Sequence, residues 1–298
     1  MPDIAALLTG ILSEDEVKYN EPMSRHTTFK IGGPADVYAE PRGEDALAAA
    51  VSALKDAGAP FAVVGCGSNL LVRDAGFRGA VLSTHAISGV TRVGDCLRVG
   101  AGATLAKTAA EALRHSLAGL EFASGIPGSF GGAVFMNAGA YGGEMADVLV
   151  SARVLTEGAA KDIPAGRLGF SYRKSALAET GGVILSGTVR LSPGDAGAIR
   201  ARTLELNASR AAKQPLDLPS AGSAFKRPPG SYASKLIDEC GLRGYTVGGA
   251  SVSGKHCGFI VNNGRAAAAD VERLMADVIR VVAERTGYIL EPEVRILG

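Results

Sequence analysis

Three short segments of this chain carry polar residues that their apolar or small-residue surroundings do not explain. Tyr172-Arg173 follows Phe170-Ser171, and an arginine offers a planar fork of donors suited to a carboxylate or a phosphate. Ser223 stands in Ala221-Gly222-Ser223-Ala224-Phe225-Lys226, where small neighbours leave its hydroxyl room to point into a cleft. Glu291, Glu293 and Arg295 alternate in Glu291-Pro292-Glu293-Val294-Arg295, so an extended backbone puts all three on one face. Each also has a plainer reading: a surface arginine, a turn serine, a solvated edge strand. No GxSxG elbow surrounds Ser223, which argues against a hydrolase nucleophile.

Two glycine-rich loops accompany these residues. Residues 125–144, GIPGSFGGAVFMNAGAYGGE, mix seven glycines with Ile126, Phe130, Val134, Phe135 and Met136. A flexible linker is polar, whereas an apolar glycine run indicates backbone packed closely against something. Glycine admits main-chain N–H groups to a ligand that a Cβ would hold off, and such groups make anion-binding concavities. Residues 61–72, FAVVGCGSNLLV, read as a buried strand, a Gly65-Cys66-Gly67-Ser68-Asn69 turn and a second apolar run. This is neither the Rossmann fingerprint, which needs a third glycine and a following helix, nor a P-loop, which needs Gly-Lys-Ser/Thr. A lone GxG is a tight turn first; two loops, one of them this dense, predict a dinucleotide cofactor.

The remaining composition narrows the possibilities. Glycine supplies 40 of 298 residues, and the net charge of +1 gives no footprint for nucleic acid or an acidic membrane. No apolar run reaches the roughly 20 residues that span a bilayer. The N-terminal segment lacks a basic n-region and turns acidic at Glu14-Asp15-Glu16, which predicts a cytoplasmic protein without a signal peptide. Cys66, Cys96, Cys240 and Cys257 form no CxxC pair and no zinc-type cluster with histidine, so they read as free thiols and no metal is expected. Of the four histidines only His256 is a candidate for catalysis, and a core or surface role suits it better.

The elements that must position these residues follow from periodicity and punctuation. Residues 1–18 predict a short amphipathic helix, and 27–40 a strand broken by Gly32-Gly33-Pro34. Helices are predicted at 43–57, ended by Gly58, and at 104–118, with Thr104 as cap and Gly119 as stop. Strands are predicted at 78–83, 90–93, 96–101, 147–155 and 183–190, without the regular alternation of a doubly wound sheet. Ser192-Pro193-Gly194 marks a boundary near 195. Beyond it come helices at 196–212, 231–240 and 268–286, strands at 245–252 and 257–261, and a charged terminal strand.

In combination these segments resemble the UDP-N-acetylenolpyruvoylglucosamine reductase (UDP-N-acetylmuramate dehydrogenase) family. The resemblance runs from about residue 19 onward, through TTFKIGGPA, VVGCGSNLLV, GIPGSFGGAVFMNAGAYGG, Tyr172-Arg173-Lys174-Ser175, KQPLDLPSAGSAFKRP, GFIVNNG and LEPEVRILG, in the family's order and spacing. It implies an α+β chain. After an N-terminal extension (1–18), an FAD-binding domain of the PCMH/VAO type in two subdomains (19–194) is followed by an α+β substrate-binding domain (195–298). The short path from Gly230 to Ser231 resembles the type II form, which lacks a tyrosine-bearing substrate loop.

The resemblance also implies chemistry. Hydride from NADPH reaches the vinyl carbon of UDP-N-acetylglucosamine enolpyruvate by way of FAD, and a proton then reaches the α-carbon. By resemblance, Ser223 is the proton donor, and Arg173 and Glu293 bind and polarise the substrate carboxylate. Glu293 is expected protonated, with a raised pKa that Arg295 would oppose. Flavin contacts fall on Gly65, Cys66, Gly67, Ser68, Asn69 and Leu70, and on Gly125, Ile126, Pro127, Gly128, Ser129, Gly131, Gly132, Asn137, Ala138 and Gly139. Cys66 is expected to contribute its backbone. Tyr172, Lys213 and Lys235 fall where the substrate's diphosphate and sugar bind. The partner is thus a small UDP-sugar, with no nucleic acid and no membrane insertion, and the chain is expected to be a monomer. One departure stands out: Arg227 occupies a position where many relatives carry asparagine. An oxidase on the same flavin fold would not need the Arg173, Ser223 and Glu293 set, and a non-catalytic binding module would need neither a proton donor nor a carboxylate clamp.

Overall fold

The structure, a computed structural model, describes residues 3–298. Its packing forms two compact units that are not continuous along the chain. The first contains residues 3–19, 37–66 and 79–209; the second contains 20–36, 67–78 and 210–298. The expected boundary near 195 follows chain order, whereas packing assigns two earlier segments to the later unit. The reason is apolar burial: Phe29, Ile31 and Leu71 sit in one core with Leu236, Leu274 and Val278.

In the first unit, a five-stranded antiparallel sheet runs in the order Ala159–Pro164, Leu149–Thr156, Val183–Arg190, Cys96–Gly100, Val90–Val93. A short helix, Phe130–Phe135, packs on it with Phe130 fully buried. Gly187 permits this approach, since a Cβ there would lie 2.8 Å from the Phe130 ring. A second core joins the strand Phe61–Val64, parallel to residues 80–83, with the helix Glu44–Asp56 through Leu47, Val51, Leu54 and Leu82. That helix is built as its sequence suggests: Gly43 precedes it, Glu44 and Asp45 sit in the first turn, and Gly58 beyond it takes φ +61°.

In the second unit, a four-stranded antiparallel sheet runs in the order Ser220–Ser223, Phe259–Asn262, Ala250–Val252, Thr246–Val247. The helix Ala268–Thr286 buries Val271, Leu274, Val278 and Val282 along one stripe and stops at Gly287 with φ +77°. Separately, Leu70–Val72 pairs in parallel with Arg295–Leu297. No helix among the described residues is long and apolar enough to cross a membrane.

Several sequence expectations are corrected here. The N-terminal helix spans only Ile4–Thr9 and stops at Gly10, because Ser13 and Glu16 form a capping box that starts a separate turn. Residues 1 and 2 of that expected helix lie outside the described residues. Of 27–40, only Pro34–Ala39 is strand. The helix from Thr104, whose hydroxyl accepts from Lys107 N (3.1 Å), ends at Arg114 rather than at 118. Leu117–Ala118 instead pairs with Ser192–Pro193.

Candidate functional site

The two glycine loops meet in the first unit. Gly65 ends the strand Phe61–Val64, and Ser129 caps the helix Phe130–Phe135 by accepting from Gly132 N at 3.3 Å. A methyl group on Gly65 would overlap the Ser129 hydroxyl, so this backbone comes as close as glycine alone allows. Gly131 is also constrained, though less tightly, with the place of a Cβ 2.9 Å from Ala101 Cβ. On the second unit's side of the first loop, a side chain on Gly67 would overlap the His26 carbonyl, and φ there is +62°. Burial pushes the Cys66 thiol above its ordinary value, so the sulfur stays protonated and unreactive at neutral pH.

The turn that carries Arg173 is tied to the same glycine stretch. Ser171 and Lys174 exchange main-chain hydrogen bonds (3.0 and 3.1 Å), and Arg173 between them holds a left-handed φ of +56°. That conformation is costly for a residue with a Cβ and persists where surroundings enforce it. Three bonds do so: Asn137 Nδ2 to Ser171 O (3.2 Å), Ser175 Oγ to Phe135 O (2.7 Å) and Arg173 Nη1 to Gly139 O (3.1 Å). Asn137, almost fully buried, also accepts from Ala146 N at 3.0 Å, so its amide organises the protein itself. Tyr172 is exposed, with the Arg173 guanidinium 5.4 Å from its ring centroid.

Ser223 and Glu293 come together in the second unit, although 70 positions separate them in sequence. Ser223 closes the strand Ser220–Ser223, opposite Phe259. Immediately after it, Ala224 O accepts from Glu293 N (2.9 Å) and Lys226 N donates to Glu291 O (2.8 Å). The segment 224–226 is therefore laced to 291–293, with a bridge between Phe225 and Pro292. The regular strand expected across 291–295 is confined to Arg295–Leu297. Asn69 completes the bracket: its Nδ2 donates to Glu293 O (3.1 Å) and its own carbonyl accepts from Arg295 N (3.0 Å). Glu291 pairs with Lys226 (2.9 Å) on the exposed side.

Of the remaining expected residues, Lys213 ends the helix Ala196–Lys213 and is exposed. Lys235, on the helix Ala233–Glu239, lies 3.7 Å from Glu239 and lines an open cleft of about 380 Å³. The same cleft is lined by Lys255 and His256, two residues of the turn 253–258 that sequence patterns did not select for binding. The only signal was a basic pair in a tight Ser-Gly turn between two strands. Arg227, at the position where the resemblance leads to an expected asparagine, stacks 4.1 Å from the Tyr232 ring centroid.

Known proteins resemble the chain along most of its length. Residues 35–160 match the model of the FAD binding domain, and residues 214–297 match that of the UDP-N-acetylenolpyruvoylglucosamine reductase C-terminal domain. The UDP-N-acetylenolpyruvoylglucosamine reductase of Agathobacter rectalis is 51% identical, over 94% of this chain and 93% of the relative. That of Streptococcus thermophilus is 50% identical, over 95% and 93%. The crystal structure of UDP-N-acetylenolpyruvylglucosamine reductase from Thermus caldophilus superimposes with a TM-score of 0.81 at 38% identity, covering 95% of this chain and 98% of that one. Alkyldihydroxyacetonephosphate synthase, 15% identical with a TM-score of 0.51 over 65% of this chain, shares the fold.

Proposed function

The chain belongs to the UDP-N-acetylenolpyruvoylglucosamine reductase family, and on that footing we propose that Ser223, Arg173 and Glu293 carry its proton transfer and charge stabilisation. The activity itself is the FAD-dependent, NADPH-driven reduction of UDP-N-acetylglucosamine enolpyruvate to UDP-N-acetylmuramate, a step of peptidoglycan precursor synthesis.

The residues present fit FAD. Neither 65–70 nor 125–132 contains a carboxylate that would repel a pyrophosphate. Ser129 and Ala101 fill the space that side chains on Gly65 and Gly131 would take, so the two loops pack with bare backbone, whose amides can serve an anion. We assign the flavin to residues 65–70, 125–129, Gly131, Gly132 and 137–139. When bound, FAD supplies a two-electron carrier between NADPH and the enolpyruvyl group.

The chain's own residues handle charge and protons. Hydride addition to the vinyl carbon leaves negative charge on the α-carbon and its carboxylate. Arg173 opposes that charge with a guanidinium whose turn is fixed by the Gly139 and Asn137 bonds, so little reorganisation is needed as charge develops. Ser223 delivers its hydroxyl proton to the α-carbon. A serine is a weak acid, and it serves because the carbanion is strongly basic and the donor is held in place. Glu293, in its protonated form, donates to the substrate carboxylate. The observation that supports this assignment is the Glu293 N to Ala224 O bond at 2.9 Å, which joins the proton donor and the carboxyl group at neighbouring positions of one scaffold. Tyr172, Lys213 and Lys235 are assigned to the UDP-sugar. We further propose a cytoplasmic monomer and the division of roles expected from sequence, with flavin binding before residue 195 and substrate binding after it.

The test is anaerobic NADPH oxidation by the purified protein, with and without UDP-N-acetylglucosamine enolpyruvate. Turnover sustained only with that substrate supports the reading. Flavin reduction with no substrate-dependent reoxidation would overturn it.

A further inference from the structure

Ser223 owes its direction to one extra residue in its strand. Across the ladder Ser220 faces Val261 and Ser223 faces Phe259, so three steps on one strand match two on the other. The extra residue makes a β-bulge, and Gly222 inside it takes a left-handed φ of +77°. The burial pattern records the same shift. Ala221 and Ala224 both sit in the core of the second unit, as does Ile260 of the facing strand. Residues on one face of a regular strand are separated by even numbers, and these two alanines are three apart. Without the bulge, Ser223 would share a face with Ala221 and point into that core. With it, Ser223 stands on the opposite face, beside Phe259 and Val261, which are not part of that core.

Gly222 has no steric reason to be glycine, since a Cβ there would meet nothing within 4 Å. What the position demands is the left-handed backbone, which residues with a Cβ adopt at a cost and asparagine adopts more readily. The bulge is held at both ends. After it, Ala224 N donates to Gly258 O (2.8 Å). Before it, Ser220 O accepts from Thr28 Oγ1 (2.7 Å).

Thr28 is itself fixed against the first glycine loop. Its main-chain N–H donates to Gly67 O (3.3 Å), and the His26 carbonyl lies where a side chain on Gly67 would be. The neighbours of Thr28 are tied down in turn. Thr27 Oγ1 donates to Ile31 O (3.0 Å), and Phe29 O accepts from Asn262 Nδ2 (3.1 Å). Asn262 N also donates to Pro219 O (2.9 Å), next to Ser220. One threonine therefore joins, through its amide and its hydroxyl, the loop assigned to the flavin and the strand that aims the assigned proton donor. The reaction needs hydride and proton to reach adjacent carbons of one substrate, and a fixed separation of that loop from Ser223 serves this.

We propose that Gly222 and Thr28 are positioning residues for proton delivery. The Gly222 bulge turns the Ser223 hydroxyl away from the core, and the Thr28 bond holds the bulge in register with the flavin loop. The proposal rests on Ser223 being the proton donor and adds two residues that act through it.

The experiment uses the FAD-loaded enzyme and its S223A, T28V, T28S, G222A, G222N and T28V/S223A variants, with both half-reactions followed at the flavin band by rapid mixing. T28V keeps the shape of threonine and the main-chain bond to Gly67, and loses only the hydroxyl bond to Ser220. It should retain FAD and be reduced by NADPH within about threefold of the parent rate, while reoxidation by the enolpyruvyl substrate slows about tenfold. T28S should recover most of that rate. G222A should slow reoxidation by about 10–100-fold, and G222N, better suited to a positive φ, by less. In the S223A background T28V should cost nothing further, because its effect passes through Ser223. A merely structural role would slow reoxidation by the same factor in both backgrounds, and that result would overturn the proposal. So would reoxidation within about twofold of the parent in both T28V and G222A while S223A is slow, an outcome that leaves the role of Ser223 intact. If S223A itself reoxidises at the parent rate, the reading of Ser223 fails and takes the proposal with it. Should G222A not fold, T28V and T28S decide alone.

Discussion

Asn69 grips the chain on both sides of Glu293. Its carboxamide donates to the Glu293 carbonyl at 3.1 Å, and its own carbonyl accepts from Arg295 N at 3.0 Å. A residue of the glycine loop expected to hold the flavin thus sets the backbone of the carboxyl group assigned to the substrate. Asn69→Ala removes the side-chain bond and should lower stability by about 1 kcal/mol, a shift of a few degrees in Tm. Stopped-flow measurement of the two half-reactions should show reoxidation by substrate slowed more than reduction by NADPH. Equal slowing of both would detach Asn69 from Glu293.

Ser223→Ala should leave flavin reduction by NADPH intact and slow reoxidation by the enolpyruvyl substrate by about 10²–10⁴-fold. Ser223→Cys keeps an ionisable proton and should lose less. Rapid-mixing absorbance at the flavin band reads both directly, and unchanged reoxidation in the alanine variant would remove Ser223 from its role.

Gly65→Ala sets a methyl group against the Ser129 hydroxyl. Forcing a group into a filled space costs roughly 1–3 kcal/mol, so the variant should lose stability and flavin content together. Ser129→Gly removes the obstructing atoms, and glycine is a tolerable helix cap. The double variant should therefore be more stable than Gly65→Ala alone, as a thermal-melt double-mutant cycle would show. Simple additivity would mean that the obstruction lies elsewhere.

Asp270 links stability to pH. Hydrogen bonds from Gly249 N and then Ala267 N (both 3.1 Å), together with the Arg273 guanidinium (2.6 Å), hold its carboxyl below the ordinary value of 3.8. A depressed folded-state pKa adds stability that is fully present above 3.8 and is lost as pH falls through the lower folded value. Asp270→Asn should cost about 1–3 kcal/mol at neutral pH. Urea titrations should show that deficit shrinking as pH drops below the ordinary range; a deficit that stays constant with pH would assign the loss to packing.

Local signals in the sequence were read well. The helix Ala268–Thr286 appears with its predicted bounds because an apolar stripe, an acidic first turn and Gly287 all agree. The helix Phe130–Phe135 was hidden, since Gly131 and Gly132 are poor helix formers. The structure supplies the reason for Gly131, which must lie against Ala101. Residues 20–36 gave no sign that they belong with the later unit, because that depends on where Phe29 and Ile31 are buried and not on any local pattern. The nearness of Ser223 to Glu293 was equally invisible to spacing and came only through resemblance. In the Lys255-His256 turn the sequence marks His256 alone, as a weak candidate for catalysis, because a basic pair in a tight turn looks like any solvated loop.

The parallel pairing of Leu70–Val72 with Arg295–Leu297 has a consequence for biosynthesis. Arg73 Nη1 donates to Gly298 O, 225 residues downstream. A strand made early in translation must wait, unpaired and apolar, for a partner that the ribosome delivers much later. Chains fold largely from the N-terminus as they emerge, and unpaired strand edges invite association. The nascent chain is thus most exposed to misassembly while residues 73–294 are being made, and its rescue by chaperones would be concentrated in that interval.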